Sequence, residues 1–371
     1  MDALATYYES AFSANAEGNI YRPFTRFERL SHERRVALLS NLPLPRLDTA
    51  TVVDYGVGSW GFGCIFPRLK QAAIAIGVDI SERAIALSAE ISAKDLALQG
   101  KQVSFMTATG YDLRLPDSSV DLFFAGECIE HIDDTECFLG EVHRVLKVDG
   151  RAIFTTPNAS PVVYRALGLR WCVGFEHSAL MDHATFRDRL SSHFDIEVMK
   201  GFNQSLHPAV DDVVDEETAA SWVAACENEP EDATGLIALV RKTDQRTRAR
   251  ASVMTVESTD LPCPTELKDV PIVPGYTGRM LSEGQQLEIP VPSGAQRCSL
   301  IFWSHPWSGT ALIAYGDQQD QVDLYSHAGG CLRHVVDCSG TERLHIRSLA
   351  VKRAESKSFE VIFLRAVFAG D

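Results

Sequence analysis

From residue 51 to about 160, short apolar runs alternate with longer segments in which apolar residues recur every three or four positions. The runs at 51–54, 73–79, 103–107, 120–125 and 151–155 predict buried strands. The intervening spacing predicts helices over about 63–72, 82–98 and 135–146. Ser81 is placed to cap the second helix and Gly100 to close it. Lys147-Val148-Asp149-Gly150 predicts a turn. Repeated β-α units imply a parallel sheet with right-handed crossovers. Two further runs, 194–200 and 235–240, predict an antiparallel hairpin at the sheet edge, separated by an insertion holding Asp211, Asp212, Asp215, Glu216 and Glu217.

Either side of this α/β block the pattern changes. Residues 1–50 predict helices, with Tyr7, Tyr8, Tyr21, Phe24 and Phe27 among arginines 22, 26, 29, 34 and 35. Two readings stand for this segment: an amphipathic cover on a sheet edge, or a lid over a ligand. Residues 245–272 are polar, basic and then proline-rich, and predict a linker. From 273 to 371 short strands follow one another at 286–290, 298–302, 311–315, 321–325, 332–336, 343–349 and 359–367, the pattern of a small β-sandwich or jelly roll. The expected organisation is a helical lid (1–50), an α/β domain (51–244), a linker (245–272) and an all-β domain (273–371).

A chain of 371 residues, 45% hydrophobic, has ample material for two packed cores. Its formal net charge of −15 excludes a sequence-independent nucleic-acid binder, which needs a basic face. No segment approaches the ~18 consecutive apolar residues of a membrane span, and the first residues lack the basic start and apolar core of a secretory signal. The nine cysteines include no CxxC pair and offer zinc no ligand framework. Scattered free thiols fit a reducing compartment, so a cytoplasmic protein is expected. Cys331 and Cys338 are near enough in sequence to pair, but free thiols are the expectation.

The chemistry begins at Val52-Val53-Asp54-Tyr55-Gly56-Val57-Gly58-Ser59-Trp60-Gly61. An apolar strand ends in an acid, and glycines let the backbone turn tightly against a nucleotide-like ligand. The next strand ends in Asp79, a carboxylate placed to take the two hydroxyls of a ribose. Gly56-x-Gly58-x-x-Gly61 also fits a dinucleotide fingerprint, and a glycine turn with no ligand remains a third reading. Dinucleotide sites set the pyrophosphate on a helix N-terminus, where Asp54 would oppose it. A sulfonium with an amino-acid tail suits an acidic strand end, so S-adenosylmethionine is the favoured cofactor.

On three segments the chain resembles the class I S-adenosylmethionine-dependent methyltransferases, and within them the ubiquinone-biosynthesis O-methyltransferases. These are Asp54-x-Gly56-x-Gly58, Gly77-Val78-Asp79-Ile80-Ser81, and the run from Gly126-Glu127-Cys128-Ile129-Glu130-His131-Ile132-Asp133-Asp134 to Thr155-Thr156-Pro157-Asn158. The resemblance covers about half of the chain and implies a seven-stranded Rossmann-like sheet with a reversed last strand. It implies that Gly56 and Gly58 approach the cofactor, that Asp79 binds the ribose, that Ile80 packs on adenine, and that Gly126 and Glu127 line the methionine end. Thr109 stands where the family often has an Asp near the adenine amino group, and Gly110, Tyr111 or Asp112 is left to fill that role. A lid arginine, Arg22 or Arg26, is implied for the cofactor carboxylate.

Methyl transfer to an alcohol needs alignment and gains from a base near neutral pKa. His131, after the fourth strand, and His177, in Phe175-Glu176-His177, are the two candidates, each against a structural role. A metal held by Glu127, Glu130, His131 and Asp133 is chemically conceivable but lacks metal-site spacing, so none is expected. In the β domain, Trp303-Ser304-His305-Pro306-Trp307 and Asp323-Leu324-Tyr325-Ser326-His327 offer aromatics and polar groups suited to sugars, though Trp303 and Tyr325 also suit a core. The expected function is O-methylation of a sugar or glycan precursor, with the β domain holding the acceptor or mediating a homo-oligomer or partner-enzyme contact. Two alternatives stand beside it: a phenolic or other small-metabolite acceptor, and a non-catalytic cofactor-binding scaffold.

Overall fold

In the computed structural model of the protein, residues 26–166, 176–203, 215–243, 252–264, 266–273 and 276–370 are described. The expected strands appear as β1 (Thr51–Tyr55), β2 (Ile74–Asp79), β3 (Gln102–Thr107), β4 (Val120–Gly126), β5 (Leu146–Pro157), β6 (Asp195–Phe202) and β7 (Gly235–Arg241). They form one sheet in the order β3-β2-β1-β4-β5-β7-β6. β1 to β5 run parallel, while β7 is antiparallel to both β5 and β6. The hairpin and the reversed last strand are therefore as the sequence predicts. Strand order reverses at β1, so the C-terminal ends of β1, β2 and β4 meet at a crevice.

The helices are α1 (Arg26–Ser40), α2 (Glu82–Ala93), α3 (Thr135–Val145), α4 (Val162–Ala166), α5 (His183–Ser191) and α6 (Glu216–Ala224). Ser81 caps α2 as expected, its hydroxyl accepting from the Ala84 amide at 3.0 Å. α2 stops at Ala93, and a separate 3-10 turn, Leu96–Leu98, takes up the rest of the stretch expected as one helix. The helix expected at 63–72 does not form. Only a five-residue 3-10 turn, Pro67–Gln71, occupies that stretch. Gly61 and Gly63 both have positive φ, 89° and 66°, a conformation that ends any right-handed helix. The expected turn at 147–150 survives as a kink inside β5, with Asp149 at φ 62°. α3 buries Phe138, Leu139, Val142 and Val145 against the sheet. Phe138 lies between Tyr55, Phe123 and Phe154, with ring centroids 5.1, 6.2 and 6.3 Å away.

Ten strands follow: β8 (Ser252–Glu257), β9 (Lys268–Val273), β10 (Tyr276–Leu281), β11 (Gln286–Pro290), β12 (Ala295–Ser304), β13 (Thr310–Tyr315), β14 (Gln318–Asp323), β15 (Gly330–Asp337), β16 (Arg343–Ser348) and β17 (Val361–Gly370). β8 and β9 lie in the stretch read as linker. They are instead members of a six-stranded antiparallel sheet, β15-β12-β17-β10-β9 with β8 also on β17. Few of their residues are fully buried, which hides them from a hydrophobic pattern. The second sheet is β11-β16-β13-β14. Alternate residues of the two sheets, among them Leu287, Ile289, Leu300, Phe302, Ile313 and Ile346, close a shared core. The eight described cysteines are free thiols, Cys331 and Cys338 among them. Among the described residues no helix is long and apolar enough to cross a membrane.

The six-stranded sheet is covered on its other face too. Between Ile301 and Phe302 its pairing with β17 slips by one residue, a bulge that sends both Leu364 and Arg365 away from the sandwich core. That outer face carries Arg297, Arg333 and Arg365, and it rests on the start of α3. That face of the sandwich is thus applied to the chain's own α/β domain.

Phe138→Ala should destabilise the α/β domain by about 3–5 kcal/mol, the cost of deleting a fully buried ring. Urea unfolding measures it, and a loss under about 1 kcal/mol would show that this cluster does not hold the sheet to α3.

Candidate active site

The glycine turn after β1 is held from below. The Gly56 and Val57 amides both donate to the Val78 carbonyl, at 2.8 and 3.1 Å. A Cβ at Gly56 would stand 2.8 Å from the Cys128 Sγ, so only glycine lets β1 and the β4 loop approach this closely. Asp79 takes the Gly58 amide on one carboxylate oxygen at 2.9 Å and the Ser81 amide on the other at 3.0 Å. Asp54 takes the Gly63 amide at 2.8 Å. Ser88 and Ser92 take the amides of Gly61 and Phe62. No α-helix starts at this loop, and four of its amides are already satisfied by side chains. The pyrophosphate seat of a dinucleotide fold is therefore absent here.

Above the turn lies a cavity of about 480 Å³, within the usual range for a small-molecule site. Of the residues singled out from sequence, Gly56, Gly58, Asp79, Ile80, Gly110, Tyr111, Gly126, Glu127 and His131 line it. Asp54 does not; it sits beneath the loop, its carboxylate spent on Gly63, and burial pushes its carboxyl up to about 7. Thr109 also lines the cavity, whereas Asp112 does not and instead accepts from the Arg114 amide. Arg22 lies outside the described residues, and Arg26 faces Glu216 at 3.9 Å.

Residues 53–154 match the family model of a methyltransferase domain. The protein is a methyltransferase that uses S-adenosylmethionine. No curated protein sequence matches the chain significantly. Among solved structures, it is similar to an S-adenosylmethionine-dependent methyltransferase of Thermotoga maritima described as a possible histamine N-methyltransferase (20% identity, 64% of this chain and 99% of that one, TM-score 0.44). It is also similar to the magnesium protoporphyrin IX methyltransferase of Synechocystis with S-adenosylhomocysteine bound (15%, 65% and 98%, 0.44). A third is a Haloferax volcanii complex of the Trm112 activator and a methyltransferase (15%, 65% and 96%, 0.43). The substrates and the activator named there belong to those proteins.

A lid over a ligand was one reading of residues 1–50, but His32 and Arg35 of α1 were not singled out as its site residues. His32 and Arg35, one helical turn apart, both line the cavity. Arg35 reaches Glu127 at 3.2 Å and His32 Nδ1 at 3.2 Å, while its buried Nε has no hydrogen-bond partner. The signal was present as two polar residues three apart on a helix, but nothing in the pattern separated Arg35 from its four neighbouring arginines. Trp60 and Thr255, the latter from β8, were also missed. Glu127 holds φ at 51° and accepts from the Thr155 hydroxyl at 2.6 Å, which fixes its carboxylate at the cavity wall.

His131 follows on a single 3-10 turn, Ile129–His131. Its Nδ1 lies 3.1 Å from the Glu176 carbonyl. A carbonyl only accepts, so Nδ1 carries the proton and Nε2 is the basic nitrogen of the neutral ring. Burial holds the imidazole below its ordinary pKa, favouring that neutral form. His177 is outside the cavity lining and stacks on His131 with ring centroids 4.6 Å apart. Glu130 is 1% exposed, accepts from the Thr156 hydroxyl at 3.0 Å, and is raised above the carboxylate range by burial. Glu130, His131 and His177 bring one donor atom each within 4.8 Å of one another, and among the described residues they are the group placed to share a metal ion. The set weighed from sequence differs, because Asp133 and Glu127 are bonded elsewhere: Asp133 to Arg365, Glu127 to Thr155 and Arg35.

The Asp54 carboxyl sets a pH signature. A carboxyl whose folded pKa is raised stabilises the fold while protonated: the contribution is complete below the ordinary 3.8 and is lost as pH rises through about 7. Between pH 5 and pH 8 the ligand-free native protein should therefore lose about 2–3 kcal/mol more stability than Asp54→Asn. Denaturant unfolding at the two pH values measures this, and equal losses would show Asp54 ionised throughout.

Proposed function

We propose that this methyltransferase places the methyl of S-adenosylmethionine on a hydroxyl of a sugar or glycan precursor, with His131 as general base and His177 stacked behind it. The carrying observation is the His131 ring in the cavity wall, its Nδ1 3.1 Å from the Glu176 backbone carbonyl, which makes Nε2, 3.8 Å from Glu130 Oε1, the basic nitrogen of the neutral ring. An alcohol gives up its proton as the new C–O bond forms, and a base of that kind receives it.

The cofactor seat follows from the same wall. Gly58 and Ser81 aim the Asp79 carboxylate, and since an ionised carboxylate accepts about four bonds, ribose hydroxyls can join the two amides. Ile80 offers an apolar face to adenine beside Gly110 and Tyr111. Gly126, Glu127 and Arg35 frame the methionine end, where Arg35 suits the carboxylate and Glu127 the ammonium group. Arg35 takes the role expected of Arg22 or Arg26.

A saccharide acceptor is supported by the sandwich surface. Trp307 is 46% exposed, with the Lys357 ammonium 4.8 Å over its ring. Tyr325 and His327 stand nearby, the phenol 3.1 Å from His327 Nδ1. Trp303, by contrast, packs within the sheet beside Gly329. The cavity itself favours a second reading, a small phenolic acceptor, because Tyr55, Trp60, Ile65, Ile80 and Ile132 make its walls largely apolar.

Incubation with methyl-labelled S-adenosylmethionine and a panel of sugar nucleotides, oligosaccharides and phenols decides between them. Label on saccharides alone supports the proposal, and label on phenols alone replaces it with the second reading. Asp79→Ala should weaken S-adenosylhomocysteine binding at least ~100-fold in calorimetry while the circular dichroism spectrum stays native; unchanged affinity would remove Asp79 from the ribose site. His131→Ala should lower turnover by about 10²–10⁴ with product affinity within ~3-fold. His177→Ala should lower it by only ~10-fold, and a larger effect from His177 would exchange the two roles.

A further inference from the structure

Three arginines on neighbouring strands of the sandwich converge on three consecutive residues of the methyltransferase domain. Arg365 of β17, fully buried, donates through Nε and Nη2 to the two oxygens of Asp133, both at 2.7 Å. Arg297 of β12 donates to both oxygens of Asp134 at 2.8 Å. Arg333 of β15 reaches the Thr135 hydroxyl at 3.4 Å. Arg365 is held in turn by the Tyr276 hydroxyl at 3.0 Å, and Tyr276 donates to Glu257 at 2.9 Å.

The grip falls at a mechanically sensitive place. Asp133 is two residues beyond His131 and itself lines the cavity. It also receives the Ser178 hydroxyl, next to His177. Asp134 caps α3 through the Cys137 amide at 3.0 Å, and its own amide donates to the hydroxyl of Tyr111, another cavity-lining residue. One chain of bonds therefore runs from the sandwich into both histidines' segments and into the cofactor wall. The sandwich reaches the cavity directly as well. Glu257 is paired across the ladder with Arg365, and Thr255, two residues along β8 and so on the same face, lines the cavity.

We propose that Arg365 is a positioning residue for methyl transfer: through Asp133 it fixes the turn that presents His131, which makes the C-terminal sandwich part of the catalytic centre rather than a separable acceptor-binding module. This rests on the reading of His131 as the base that faces the acceptor. A planar, two-toothed guanidinium sets both the distance and the rotation of the carboxylate, which a point charge does not.

The test uses full-length protein labelled with ¹³C,¹⁵N-histidine, with the His131 ring signals assigned by His131→Gln. In Arg365→Met the His131 ring signals should move by several linewidths at constant pH, while those of His345, on the other sheet of the sandwich, stay in place. Turnover should fall ~10-fold or more with S-adenosylhomocysteine affinity within ~3-fold. Arg365→Lys should restore part of the turnover and give an intermediate His131 shift. Arg343→Ala, which breaks an exposed pair with Glu288 on the other sheet, should leave the His131 signals and the rate unchanged. Unmoved His131 signals in a folded Arg365→Met protein overturn the proposal, as does a native rate. If the Met variant does not fold, Arg365→Lys decides by the same two readouts. A normal rate in His131→Ala would sink the base assignment instead, so the two failures are distinguishable.

Discussion

Two carboxylates at the ends of adjacent parallel strands organise this protein. Asp54 and Asp79 accept the amides of Gly63, Gly58 and Ser81 and so set the shape of the loop at the cavity wall. No helix starts at the loop, and Ser88 and Ser92 of α2 hold its far end by taking the Gly61 and Phe62 amides. Its positive-φ glycines keep the backbone thin enough for the β4 loop to close over it. The burial that makes Asp54 an effective anchor also penalises its charge, so the loop is built at some expense of stability near neutral pH.

The second constraint is the buried contact between the two domains. Removing either partner of a desolvated ion pair such as Arg365–Asp133 leaves an uncompensated buried charge and costs about 3–5 kcal/mol. Cutting the chain near residue 250 would strip three arginines from Asp133, Asp134 and Thr135 at once. Point substitutions on the sandwich are therefore the cleaner probe of what it contributes. The same contact explains why the outer face of the six-stranded sheet can be rich in arginine and yet closed to solvent.

Much of the α/β domain could be read from the chain because strand burial and β-α alternation leave a strong pattern. The glycine turn, Asp79 and His131 were picked out by residue type and order, and Gly56, Gly58, Asp79 and His131 come together at one cavity. Three things were not legible. The helix after β1 looked plausible by apolar spacing, but glycine φ values overruled it. β8 and β9 carry too few buried residues to show an alternating pattern, so their membership of the sheet depends on partners more than ninety residues away in β17 or on β10. Arg35, Thr255 and Arg365 enter or brace the site from distant parts of the chain, and no local spacing records a contact of that range. His177, the other histidine weighed as the base, lies outside the cavity lining with its ring centroid 4.6 Å from that of His131.

The central claim, that this cavity is the seat of S-adenosylmethionine, is tested most directly by calorimetric titration of the native full-length protein with S-adenosylhomocysteine. The account predicts one site per chain with a dissociation constant in the micromolar range or below. No heat of binding at protein concentrations of about 100 μM, from a protein whose circular dichroism shows it folded, would contradict it.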